Sequence, residues 1–353
     1  MKLELQEFDE NSSYFFSTIA NKEGDKRLLP GRALRKTYSE FYDEYINEAL
    51  IGIEKTSLPG NKEGYDNFNN SIESILNKKS IKDKLNIITF FGDKNVDLSE
   101  LLSFEDINLL ADFEQRYNDH FVSMPFTLKF REPTYGSAQI FEDIKASYQN
   151  FVSTLKTQNI LGYVPAYVSH RDLDKFVKFY LDNNQSIKSP EGKLNYVPLL
   201  IDCKNSLPDS NKRSLAKLRQ LKAQYLKEGY YLFYYGFSLG TPRVSMKTPN
   251  ALSREFLLAF LGFDVMGGSH ARFKGGGGSD TLDKRAGRFD SSDFNYHLKT
   301  VPSSVYKRVK PQNFTEQTRY LNTLSSAMKK DREIVTKELV KRSAAHDYIE
   351  TYR

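Results

Sequence analysis

The chain has one cysteine, Cys203, and no tryptophan among its 353 residues. A single thiol excludes an internal disulfide framework and any zinc or iron–sulfur site built on a cysteine cluster. A chain of this length needs neither, because it can bury roughly three quarters of the surface that its unfolded form exposes. Long apolar runs are also lacking. No stretch approaches the ~20 apolar residues of a membrane-crossing helix, which excludes an integral membrane protein of that kind. The opening MKLELQEFDE is acidic and polar, unlike a secretory signal. With the lone cysteine, this makes a reducing, cytoplasmic location the expectation. None of the five histidines stands in HxH or HExxH spacing, and neither a GxSxG elbow nor a P-loop occurs. No metal and no cofactor is therefore expected.

What the sequence does have is aromatic and mildly basic. It contains 22 Tyr and 25 Phe, and 51 Lys and Arg against 45 Asp and Glu, for a formal charge of +6. That balance permits a polyanionic partner without requiring one.

Apolar, β-rich runs occur at 85–91, 121–128, 160–168, 196–202, 230–237 and 261–266, with helical patterns at 98–117, 138–157, 170–183, 211–228 and 250–260. In the third of these, Leu173, Phe176, Val177 and Tyr180 share one face. Such alternation indicates βαβ units and a parallel sheet. Six runs and at least one N-terminal strand approach the eight of a (β/α)8 barrel. An open doubly wound sheet is the competitor, weakened by the lack of a GxGxxG after any early strand. Ahead of the rhythm, 3–5 and 14–16 read as short strands. Residues 32–50 read as a helix, on the spacing of Leu34, Tyr38, Phe41, Tyr45 and Leu50. After Met266 come a Gly-rich loop, a polar stretch over 281–313 and a long helical pattern over 314–350. The expected organisation is N-terminal strands and a helix over 1–84, an α/β TIM-like barrel core over 85–310 and a basic helical extension over 311–353.

In a parallel barrel, function gathers at the C-terminal ends of the strands. Those ends carry Asp202 followed by Lys204 and Asn205, Ser238 and Gly240, and Lys129, Arg131 and Glu132. Asp264 lies inside an apolar run, where an unpaired charge is expensive. It must pair with an internal cation, cap a loop, or serve as a nucleophile or general base, and Asp202 poses the same choice. Two carboxylates sharing a pocket can divide attack on a sugar carbon from proton handling. Gly267 and Gly268 bare the backbone beyond Asp264 to a flat ligand or a phosphate, and Ser269, His270 and Arg272 supply donors. The run Gly275 to Gly278 reads as flexible, and GGGGS also matches an engineered linker.

The run LGFDVMGGSHARF (261–273), followed by GRFDSSDFNYH (287–297), resembles the distal end of the tRNA-guanine transglycosylase superfamily. It is most similar to divergent archaeal tRNA-ribosyltransferases and to relatives that insert 7-deazaguanines into DNA. The segment ILGYVPAYVSHRDLDKFVKFYLDNN (160–184) resembles a strand–helix unit of the same proteins. The resemblance spans residues 85–310. It implies a (β/α)8 barrel and a pentosyltransferase that replaces guanine with a 7-deazaguanine base in tRNA or, alternatively, in DNA. It implies Asp264 as nucleophile, or Asp202 in its place, with Asp202 otherwise the general base. Ser238, Gly240, Gly267, Gly268, Ser269 and His270 would hold the base, and Arg272, Lys329, Lys330 and Arg332 the nucleic acid. The chain departs from the family pattern at Gly267, where typical members carry a second aspartate. It also lacks the DSGGF motif and the three-cysteine zinc motif. No membrane partner is implied, and a homodimer is left open. The competing reading is a barrel that binds nucleic acid or a partner without catalysis. The enzyme requires Asp202 and Asp264 to face one accessible cavity, whereas the binding subunit pairs each carboxylate with a cation.

Overall fold

The computed structural model describes residues 2–9, 14–20, 26–35, 46–53, 66, 70, 86–94, 104–117, 121–155, 159–183, 187–188, 194–269 and 283–352. The chain opens with β1 (Lys2–Asp9), β2 (Tyr14–Ala20) and β3 (Lys26–Leu29), an antiparallel sheet in that order. Then come β4 (Gly31–Arg35), β5 (Ile46–Ile53), β6 (Asn86–Gly92) and α1 (Phe104–Tyr117). One apolar run supplies both β7 (Val122–Ser123) and β8 (Phe126–Thr127), and α2 (Ser137–Thr154), β9 (Ile160–Pro165) and α3 (His170–Asn183) follow. The next elements are β10 (Ile187–Lys188), β11 (Asn195–Asp202), α4 (Lys212–Lys227) and β12 (Tyr230–Phe237). After them come β13 (Asn250–Leu252), α5 (Arg254–Leu257) and β14 (Val265–Met266).

The main sheet is curled and runs β7-β9-β11-β12-β14-β4-β5-β6-β8, every one of these pairings parallel. Strand β10 adds an antiparallel edge to β11. All six apolar runs lie in this sheet. Strands β11 and β12 are buried almost throughout, as continuous apolar runs covered on both faces must be. The stripe Leu173, Phe176, Val177 and Tyr180 on α3 is buried as its spacing requires.

The structure corrects the sequence reading at four places. Over residues 32–50 the described parts are strand, not helix: β4 and β5 enter the sheet between β14 and β6, and residues 36–45 lie outside the described residues. Short strands buried on both faces show no alternation, and their apolar residues can fall at helical spacing by chance. The pattern at 250–260 resolves into β13, α5 and a 3-10 turn, Leu258–Leu261. The polar stretch 281–313 contains a hairpin, β15 (Asp283–Asp290) and β16 (Asn295–Pro302), which joins β13 in a second antiparallel sheet. The pattern at 314–350 is broken after a short α6 (Ser303–Tyr306) into α7 (Val309–Met328), α8 (Ile334–Val340) and α9 (Ser343–Glu350). Leu321, Leu324, Met328, Val335 and Leu339 are buried, and Tyr320 and Ile334 pack against the core.

The β1–β3 sheet covers the N-terminal ends of the parallel strands. Leu5 N donates to the Tyr196 hydroxyl and Phe15 packs on Tyr231, each partner being the second residue of its strand. Helix α7 runs back toward that end. Its Lys310 lies beside Gly268, just past β14, while Tyr14 of β2 donates to Leu321 O, further along the helix. Among the described residues no helix is long and apolar enough to cross a membrane.

Candidate functional site at the strand ends

Asp202 is the last residue of β11, in register with Phe237 of β12 and Pro165 of β9. Its carboxylate is fully buried. Oδ1 accepts from Arg131 Nη2 at 2.6 Å and from Lys204 N at 2.9 Å; Oδ2 accepts from Arg131 Nε at 2.8 Å and from the Tyr163 hydroxyl at 2.5 Å. These four bonds use the acceptor capacity of a carboxylate. Arg131 ends a 3-10 turn, Leu128–Arg131, that Thr127 caps by accepting from Lys129 N. Its Nη2 also donates to Ser238 Oγ at 3.0 Å, and its guanidinium sits 5.8 and 5.7 Å from the Phe126 and Phe237 rings. Burial pulls the Arg131 pKa down, but Asp202 and the tyrosines beside it more than offset this, so the group stays cationic. The Arg131 side chain keeps 14% of its surface exposed, against none for Asp202. The pair therefore shows solvent a cation held from behind by a carboxylate.

Around it, Lys204 lies over the Tyr167 ring at 5.4 Å, and the Tyr167 and Tyr163 hydroxyls are 3.0 Å apart. Burial pushes both phenols upward, so both remain protonated. Lys204, Asn205 and Ser238 all have left-handed backbones, with φ of 54–55°. Each costs about 1–3 kcal/mol for a residue with a Cβ, a strain that clusters at functional sites.

Asp264 is different. It does not end a strand; it precedes β14, where its N donates to Tyr234 O and its O accepts from Gly31 N. That places it beside Tyr234, three residues short of the end of β12. Its carboxylate takes Lys222 Nζ at 2.7 Å, Tyr234 N at 2.7 Å and the Tyr231 hydroxyl. Lys222 also donates to Gly262 O at 2.6 Å, and neither side chain of the pair is exposed. Burial pushes the Asp264 carboxyl up and the Lys222 ammonium down, each opposed by the other's charge. The expectation of a strand-end carboxylate facing a pocket is corrected here: Asp264 ties α4 to the sheet. Asp202 and Asp264 share no hydrogen-bond partner among the described residues.

Ser238 joins Asp202 through Arg131. Ser269 Oγ donates to Asn205 Oδ1 at 3.2 Å, and Gly240 N donates to Ser206 O. Gly267 is required by close approach, since a Cβ there would lie 2.5 Å from Glu48 Oε1 and 2.9 Å from Gly236 O. Glu48 also bonds the Tyr235 hydroxyl and accepts from Gly268 N at 3.4 Å. His270, Arg272 and the run Gly275 to Gly278 lie outside the described residues.

Two of the tail residues expected to contact nucleic acid meet the N-terminal strands. Lys329 packs over Phe16 and Arg332 pairs with Glu7 at 2.9 Å, both at the N-terminal end of the sheet, away from Asp202. Lys337 pairs with Asp331, and Lys341 and Arg342 with Glu338. The sequence reading also passed over Lys222, Glu48, Tyr163 and Tyr167. For Lys222 a signal was present, because it continues the Leu215, Leu218 stripe of α4.

Among the described residues no three His, Cys, Asp or Glu side chains group to hold a metal. No family model and no curated protein matches the chain.

Proposed function

We propose that this chain binds nucleic acid at the C-terminal ends of its parallel strands, with Arg131 and Lys204 taking backbone phosphate. The observation that carries the reading is the Arg131–Asp202 pair: a guanidinium fixed by two hydrogen bonds to one carboxylate and partly exposed at a strand end. Asp202 and Ser238 take the Nε and Nη2 donors, which leaves the two N–H groups of Nη1 for a phosphate oxygen, a charge-assisted contact. On the same reading the curled sheet is a (β/α)8-type barrel with a helical extension. In support, β7 pairs with β9 and β8 with β6, so one run meets both ends of the sheet. Binding without attack by either aspartate is favoured because each carboxylate already holds a cation. The test is binding of tRNA and of duplex DNA across a salt series. Affinity should fall linearly on logarithmic axes. Arg131→Gln should weaken it about tenfold and lower the salt slope by about one. Salt-independent binding, or none at low salt, sinks the proposal.

A second reading is base exchange, guanine for a 7-deazaguanine, in tRNA first and in DNA second. It is favoured by the way Asp202 is held, since a substrate phosphate that drew Arg131 away would leave only Tyr163 and Lys204 N on the carboxylate. Asp202 would then bond C1′ as the bond from C1′ to guanine breaks and guanine leaves with a proton. The incoming base would give up its own proton and displace Asp202. Labelled guanine or preQ0 incubated with the protein and either nucleic acid tests this. Incorporation abolished by Asp202→Asn supports exchange, whereas binding without incorporation leaves the first reading alone.

A further inference from the structure

The segment 239–249 leaves β12 past Ser238, which Arg131 holds, and delivers the chain to β13 of the second sheet. Gly240 N donates to Ser206 O where the segment departs, and Pro249 O accepts from Leu298 N of β16 where it arrives. Between these points a tight turn closes, with Ser245 N donating to Thr248 O at 2.9 Å and Thr248 N to Ser245 O at 3.1 Å. The Ser245 and Thr248 hydroxyls, 2.9 Å apart, tie the same turn. Met246 and Lys247 form its tip. Met246 is 67% exposed, an apolar side chain held out in water by a hydrogen-bonded turn.

The turn sits on one face of the hairpin. A Cβ at Gly287 would lie 2.9 Å from Val244 Cγ2, so the segment crosses β15 where no side chain stands. Gly287 is in register with Leu298 and Arg285 with Thr300, which puts Arg285 on that same face, two residues along. Arg243, Lys247 and Arg285 are exposed, and none of them forms an ion pair among the described residues. Over 239–254 the chain has Arg243, Lys247 and Arg254 and no acid, and Arg254 pairs with Asp209. The tail is the opposite case, since Arg332, Lys337, Lys341 and Arg342 each meet a carboxylate. Cations without acids around an apolar tip suit a nucleic acid, whose phosphates take the charges while the tip reaches a base or a sugar.

We infer that this face is a second nucleic-acid contact, in which Arg243, Lys247 and Arg285 take backbone phosphates and Met246 packs on a base or sugar beyond the strand-end site. The inference rests on the reading that the chain binds nucleic acid. Binding of tRNA and of duplex DNA by the full chain across a salt series tests it. Arg243→Gln, Lys247→Gln and Arg285→Gln together should weaken binding about a hundredfold near 0.1 M salt and lower the salt slope by about three. Met246→Ser should weaken binding about fivefold and leave the slope unchanged, because it neutralises no phosphate. All four positions are exposed, so urea midpoints should stay at the wild-type value. Loss in Arg131→Gln alone keeps the strand-end site and overturns this one. Loss in the triple variant alone keeps this face and removes the strand-end site, and no binding by the wild type at low salt removes both. Wild-type affinity in the triple variant or in Met246→Ser overturns the inference. So does a triple variant that loses only binding to phosphatidylserine vesicles, which would give the face to a membrane.

Discussion

Two aspartates flank β12, one at the end of β11 and one at the entry to β14, and each holds a buried or half-buried cation. Lys222–Asp264 lies within the sheet, without exposure, and its remaining bonds go to backbone at Gly262 and Tyr234 and to the Tyr231 hydroxyl. Arg131–Asp202 lies at the strand end, and its cation reaches solvent. The same chemistry is a strut in one place and a presented charge in the other. Three residues of height along β12 make the difference, because only at the end of a strand can a loop bring a cation over the carboxylate and leave its far side open.

The strut should break hardest. Lys222→Met leaves Asp264 buried and unpaired, and urea unfolding should show a loss of about 3–5 kcal/mol. Removing both charges, with Asp264→Leu added, should recover most of it. A loss under about 1 kcal/mol for Lys222→Met would end the strut interpretation. At the strand end the order of effects should reverse. Asp202→Asn keeps an oxygen for Tyr163 or Lys204 N and should cost about 1–3 kcal/mol, yet nucleic-acid affinity should fall about tenfold as Arg131 loses its orientation. Equal affinity in Asp202→Asn and wild type would show that the pair presents nothing.

Glu114 sharpens the comparison, as a buried carboxylate with no cation among the described residues. It accepts from Ser123 N at 2.5 Å, Oε1 has no partner, and burial pushes it well above its ordinary value of 4.5. The folded state therefore holds this proton more tightly than the unfolded chain. The stability it contributes is present below about pH 4.5 and is lost as pH rises toward the folded value. Urea midpoints at about pH 5 and about pH 8 should differ in the wild type, and Glu114→Gln should flatten that part of the difference. The smallest effect belongs to the tail. Arg332→Gln and Lys337→Gln remove cations already paired with Glu7 and Asp331. Nucleic-acid affinity should change less than about twofold, since exposed ion pairs contribute little. A loss matching that of Arg131→Gln would move the binding face to the tail.

The main sheet was legible because six apolar runs between amphipathic helices supply seven of its strands, and burial on both faces writes itself into composition. Strands β4 and β5 were not, because too few residues separate a helical from an extended spacing there. The hairpin β15–β16 was missed because its sequence, DKRAGRFD and NYHLKTVP, is polar on the face it leaves open. At the site, Asp202 and Asp264 stood out as charges in apolar runs, but their partners come from distant segments. Arg131 is 71 residues from Asp202, and Lys222 is 42 from Asp264.

Composition and periodicity alone determined that this is an α/β chain built on parallel strands, without a disulfide framework or a cysteine-based metal site, because burial and cysteine chemistry are counted residue by residue. Which charges meet was decided only by the tertiary structure. Pairing depends on the height at which each strand and helix places its side chain, and no local pattern encodes that height. Hence Asp264 became a strut, Arg332, Lys337, Lys341 and Arg342 of the tail met neighbouring acids, and Asp202 came to hold Arg131 at the strand end.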